Sequence, residues 1–178
     1  MIIREVRTKD VPALSELARK TYAEAFGHSL KPDDLAAELE ENRLEAYFRS
    51  AMNAETILVA VTGARLVGYI QLGDVRVNVD GRRPGEKDQA VNALYVHSAL
   101  QGQGIGRALM DAAFESLRFQ QARDIYIDVW DENRRAVDFY LNYGFKIVGK
   151  CDVITNGKYV GQDLVLKRAA VTRWQCGQ

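Results

Sequence analysis

Ala93-Leu94-Tyr95-Val96-His97-Ser98-Ala99-Leu100-Gln101-Gly102-Gln103-Gly104-Ile105-Gly106-Arg107-Ala108-Leu109-Met110 is the stretch whose reading decides the fold. An apolar run ends at Val96, glycines fall at 102, 104 and 106, and helical spacing starts at Arg107. A strand, a glycine-rich turn and a helix in that order make an anion site. Glycine lets backbone approach a charged group, the first N–H groups of the helix point at it, and the helix dipole adds to the attraction. A phosphate-bearing ligand is therefore expected at residues 101–107.

Two common phosphate templates fit poorly. Counted from Gly102, the third position of a dinucleotide fingerprint is Arg107, and the acids that follow, Asp124 and Asp128, are poorly spaced for a ribose. No Gly-Lys-Ser/Thr tripeptide of a P-loop occurs. The local pattern is Gln-x-x-Gly-x-Gly, preceded by Leu-Tyr-Val and followed by Arg-Ala-Leu-Met.

A second segment lies about thirty residues on. Val129-Trp130-Asp131-Glu132-Asn133 leads into Ala136, Phe139-Tyr140 and Tyr143-Gly144-Phe145. Read alone, Asn133 is a good helix cap and Tyr140 falls on the apolar face of its helix with Ala136, Val137 and Leu141. The two segments together, in this order, resemble the GNAT N-acetyltransferase superfamily over roughly residues 2–166. The resemblance implies an α/β (α+β) fold, a mixed central sheet of about seven strands flanked by helices. It also implies a splay between the strands at 90–96 and 124–130.

The chemistry implied by that resemblance is acetyl transfer from acetyl-CoA to a primary amine; separately, cysteines without metal spacing and the far-apart His28 and His97 read as no structural metal. Pyrophosphate is expected over Gln101, Gly102, Gln103, Gly104, Ile105, Gly106 and Arg107. Main-chain groups of Leu94 and Val96 are expected to hold the pantetheine arm, and Asn133 to contact it. Tyr140 is expected to contact the cofactor and to protonate the departing thiolate. Several members place a Glu on the strand before the glycine turn as base; here that neighbourhood is Gln89-Ala90-Val91-Asn92, and an amide cannot take a proton. Asp128, across the expected splay, is the substitute, with Tyr95 and Glu24 as further options; a plain outward-facing strand residue is the other reading of Asp128.

The pattern along the chain agrees with that topology. Strands are expected at 2–6, 56–61, 66–75, 90–96, 125–130, 145–154 and 159–166, and helices at 8–26, from Pro32, near Tyr47, at 105–117 and at 134–143. Residues 80–88 read as a polar loop, Asn156-Gly157 as a tight hairpin, and 167–178 as a tail after a single domain spanning 1–166.

Composition sets outer bounds. The 178 residues suffice for one well-filled core, and 47% hydrophobic with 27% charged is ordinary for a globular chain. Zero net charge argues against duplex nucleic acid, and no apolar run reaches bilayer length, which argues against a membrane partner. The first residues read as a strand rather than a leader, and Cys151 and Cys176 lack metal spacing, so a reduced, cytoplasmic compartment is expected. From Tyr22 to Phe48, Glu24, Asp33, Asp34, Glu38, Glu40, Glu41 and Glu45 face only Lys31 and Arg43, a net −5.

That acidic stretch suits a cationic acceptor or is simply a solvated helix face. Thr21-Tyr22-Ala23-Glu24-Ala25-Phe26-Gly27 with Pro32-Asp33-Asp34-Leu35 further resembles bacterial polyamine N-acetyltransferases, which implies a spermidine-like acceptor. A protein N-terminus or lysine, another small amine, a non-catalytic acetyl-CoA-binding regulator and a nucleotide-binding module are the alternatives. The resemblance also allows a homodimer.

Overall fold

The computed structural model describes residues 1–77, 85–155 and 157–170. Its strands are β1 (Ile2–Glu5), β2 (Thr56–Thr62), β3 (Arg65–Asp74), β4 (Gln89–Val96), β5 (Asp124–Trp130), β6 (Lys146–Thr155) and β7 (Lys158–Ala169). They form one mixed sheet in the order β1-β2-β3-β4-β5-β7-β6. The helices are α1 (Val11–Phe26), α2 (Pro32–Asn42), α3 (Glu45–Ala51), α4 (Ile105–Glu115), α5 (Leu117–Gln120) and α6 (Arg134–Asn142). None is long and apolar enough to cross a membrane. Contacts group the chain into two compact units, Met1–Leu72 with Ala93–Ala113, and Gly73–Asn92 with Phe114–Gln178.

In the first unit, β1, β2 and β3 are antiparallel, with Ile3 opposite Ala60 and Val59 opposite Tyr69. Leu14, Leu17, Ala18 and Thr21 recur at helical spacing and are the buried stripe of α1. That stripe meets Phe48 of α3, Ile57 and Val59 of β2, Tyr69 of β3 and Ala93 of β4 in a single cluster. The α2 pattern differs from a simple leucine face: Leu35 and Leu39 are half-buried, whereas Asp34 in the first turn is buried.

In the second unit, β4 begins parallel to β5, pairing Gln89↔Ile125, Ala90↔Tyr126 and Val91↔Ile127. Antiparallel β7 and β6 complete this side, with Asp128 opposite Val165 and Cys151 opposite Asp163. Ala90, Tyr126 and Val165 pack together on one face with Val148 and Cys151.

Two boundaries differ from the sequence reading. The apolar spacing carries one helix through Leu117, but α4 stops at Glu115 and Ser116, in extended conformation, caps α5 by accepting the Phe119 N–H at 3.4 Å. Leu117 is thereby turned 73% into solvent and Phe119 takes the buried place. At the other end, β7 runs past Leu166 to Ala169. Lys167 pairs with Asp124 at 2.9 Å, and the Arg168 guanidinium lies 4.4 Å from the Phe114 ring centre, so the first residues of the expected tail belong to the sheet. Part of the expected 80–88 loop, Asn156 of the expected hairpin, and Cys176 lie outside the described residues.

Candidate active site

The glycine turn belongs to the first unit. Gly102 and Gly104 have φ of 82° and 83°, a left-handed backbone that a side chain disfavours. Gln101, Gly102, Gln103 and Gly104 are all exposed, as is Arg107. The first helical hydrogen bond of α4 runs from the Ala108 N–H to the Gly104 carbonyl at 2.9 Å, so the Ile105 and Gly106 amides precede the ladder. This is the geometry that suits an anion.

Gly68 of β3 fixes where that helix lies. A Cβ there would meet the Tyr95 carbonyl at 3.0 Å, Leu109 at 3.2 Å and Ile105 at 3.3 Å. The helix therefore rests closely on the β3–β4 backbone, with Ile105 and Leu109 among its buried residues. Beyond β4 the His97 N–H bonds the Val67 carbonyl at 2.9 Å, and the Gln101 side-chain amide donates to the Val96 carbonyl at 3.2 Å. Leu94, Tyr95 and Val96 are half-buried on this strand.

The other face of the same strands carries an aromatic cluster around a guanidinium. Tyr69 and Tyr95 stack at 5.7 Å, and Phe48 meets Tyr69 edge-on at 6.0 Å. The Arg43 guanidinium lies 4.6 Å from the centre of the Tyr22 ring and 6.0 Å from that of Tyr95. The α1 residue Ser15 donates to the Arg43 carbonyl at 2.6 Å and holds the backbone there. Burial pushes the Tyr69 phenol up, so it stays a neutral O–H. Among the described residues neither the Arg43 Nε nor the Tyr69 hydroxyl, both buried, has a hydrogen-bond partner.

The second unit carries Asp128, Asn133 and Tyr140. Asn133 caps α6, its side-chain oxygen accepting the Ala136 N–H at 3.1 Å, and it is exposed. Tyr140 is 7% exposed and packs between Phe139 at 5.3 Å and Phe145 at 6.1 Å. Both residues thus have the structural role open to them from sequence; chemically, Asn133 also carries an amide nitrogen and Tyr140 a hydroxyl.

Asp128 opens to the surface on β5. The ladder sets Asp163 diagonally beside it, because Asp128 faces Val165 while Trp130 faces Asp163. Burial, and then the charges of Asp128 and Asp131, push the Asp163 carboxyl up to about 7. Crowding by protein also raises Asp128, with Arg76 acting against it. Cys151, on the same face, is pushed up to about 11 by burial and by these acids, so it is a thiol at neutral pH. Asp163 gives no local sequence signal; only the pairing of two strands distant in sequence brings it to Asp128. Arg43 is hidden in the same way, as one base in an acid-rich segment.

Comparison with known proteins gives the class. Residues 11–145 match the Acetyltransferase (GNAT) family. The chain belongs to that family and is an acetyl-CoA-dependent N-acetyltransferase. A relative along nearly the full length is an N-acetyltransferase in the pepI 3′ region of Lactobacillus delbrueckii subsp. lactis, 26% identical, covering 95% of this chain and 97% of that one. The fold is shared with the PaiA N-acetyltransferase from Thermoplasma acidophilum in complex with coenzyme A, at a TM-score of 0.73 and 19% identity, covering 94% of this chain and 98% of that one. It is shared too with YncA of Salmonella typhimurium with its cofactor acetyl-CoA, at a TM-score of 0.68 and 19% identity, covering 99% and 98%.

Proposed function

We propose that this enzyme moves the acetyl group of acetyl-CoA to a primary amine by direct attack within a ternary complex. The observation that carries this reading is the turn in which Gly102 and Gly104, both at positive φ, pass the chain from β4 into α4. Pyrophosphate binds the backbone N–H groups of residues 101–107, with the Arg107 side chain adding charge. The pantetheine arm bonds main-chain groups of Leu94 and Val96 in the manner of an added strand, and Asn133 bonds the arm through its amide.

The acceptor amine, with a pKa of about 10 in water, must shed a proton before it attacks. Asp128 takes that proton, directly or through water, with Asp163 diagonally beside it across the β5–β7 ladder. The nitrogen lone pair then attacks the thioester carbon, and a backbone N–H near Val96 stabilises the oxyanion. The carbon–sulfur bond breaks, the Tyr140 hydroxyl gives its proton to the thiolate, and the acetylated nitrogen releases its second proton, which restores the Tyr140 hydroxyl directly or through water. The products are an amide and free CoA.

A polyamine acceptor is a second reading, favoured by the exposed acids Asp33, Glu40 and Glu41 on α2 and at its end. Acetylation of a protein N-terminus or lysine is separated from both by peptide acceptors. The experiment is a CoA-release assay over amino acids, polyamines and short peptides, run with Tyr140→Phe. The variant is expected to lose about 100-fold or more in kcat while acetyl-CoA affinity changes only a few-fold. Binding of acetyl-CoA with no turnover on any amine would instead point to a regulatory module.

A further inference from the structure

We propose that Arg43 and Tyr69 form a subsite for a carboxylate carried by the amine acceptor, so that the acceptor is of amino-acid type; this rests on the transferase reading above. The guanidinium is held rather than free. Its backbone is tied to Ser15, one nitrogen donates to the Asn42 carbonyl at 2.7 Å, and its central carbon lies over the Tyr22 ring, 4.6 Å from the ring centre. Aromatic faces stabilise the charge but accept no in-plane N–H. The buried Arg43 Nε and the buried Tyr69 hydroxyl remain without partners among the described residues. Two buried donors that act on one another electrostatically are costly to leave without an acceptor, and a carboxylate suits them both, matching the guanidinium's charge and planar fork.

The location fits an acceptor rather than the coenzyme. Tyr95, which stacks on Tyr69, is the β4 residue between Leu94 and Val96. Side chains alternate along a strand, so Gly68, which receives α4, and Tyr69, which faces the Arg43 cluster, look to opposite sides of β3. The subsite therefore lies across the strand from the phosphate-binding helix. A polyamine, cationic throughout, gains nothing from a guanidinium there, whereas an amino acid presents both the nucleophile and the counter-charge.

The test is turnover on matched acceptors that differ only in the carboxylate: methionine against 3-(methylthio)propylamine, leucine against isoamylamine, ornithine against putrescine. The native enzyme is expected to favour the carboxylate-bearing member about 10- to 100-fold in kcat/KM. Arg43→Lys, which keeps the charge but loses the fork, is expected to shrink that ratio mainly through KM, and Arg43→Gln to bring it near unity. Tyr69→Phe, which removes one donor and keeps the ring, is expected to shrink it in part, and it serves if the Arg43 variants fail to fold. No preference in the native enzyme, or a ratio unmoved by Arg43→Lys and Tyr69→Phe, overturns the proposal and leaves a buried water as the partner of these groups. If no amine in the panel is acetylated, the transferase reading fails separately, and calorimetry with N-acetylmethionine decides the subsite. Binding weakened by Tyr69→Phe supports it, and no binding overturns it.

Discussion

Asp163 and Asp128 set the pH behaviour. With its folded pKa raised to about 7 from an unfolded value near 3.9, Asp163 holds a proton in the folded chain that the unfolded chain has already lost. Its contribution to stability is thus full below about pH 4 and is lost as pH rises through about 7. Asp163→Asn is expected to flatten that decline, gaining about 1–2 kcal/mol at pH 8 in denaturant titrations, a figure reduced for partial solvent access. In catalysis the sign is opposite: Asp128 must be ionised and burial raises it, so kcat/KM is expected to rise with pH along a limb lying above the ordinary carboxylate range, and Asp163→Asn, which removes a neighbouring charge, to shift that limb downward. An unchanged profile would remove the pair from proton transfer. Asp128 was legible as a candidate because it sits in a recognisable strand; Asp163 was not, since its relevance depends on the β5–β7 register.

The elements carry the coenzyme geometry. Gly104→Ala forces a side chain into a left-handed backbone at a strain of about 1–2 kcal/mol, although open space surrounds the new methyl. The expected result is a modest fall in melting temperature and a rise in KM for acetyl-CoA larger than any change in kcat. Gly68→Ala acts from beneath: a methyl 3.0 Å from the Tyr95 carbonyl must shift β4 or α4, costing about 1–3 kcal/mol. The strand–turn–helix itself was readable because its signals are local. The end of β7 was not, because Lys167 and Arg168 look like tail residues until Asp124 and Phe114 are placed against them. A chain ending at Leu166 forfeits the pairs Asp124↔Ala169, Ile125↔Arg168 and Tyr126↔Lys167, and is expected to melt several degrees below one ending at Ala170.

For the whole molecule, family membership and fold agree with the class read from two short motifs, and the order of strands and helices was largely visible in hydrophobic period and turn residues. The break at Ser116 escaped because Leu117 continues the apolar spacing while the capping serine overrides it. The acceptor was least legible, since the residues argued to choose it, Arg43 and Tyr69, come from α2's end and from β3. Acetyl-CoA is expected to raise the melting temperature in a concentration-dependent way, and ATP or NAD to do so far less. The most direct measurement is a CoA-release assay with mass-spectrometric identification of the product, native enzyme beside Tyr140→Phe. One acetyl group on the acceptor's nitrogen is expected for each CoA released, with a collapse of kcat in the variant. Acetyl-CoA binding without an N-acetylated product from amino acids, polyamines or peptides would contradict the transferase reading.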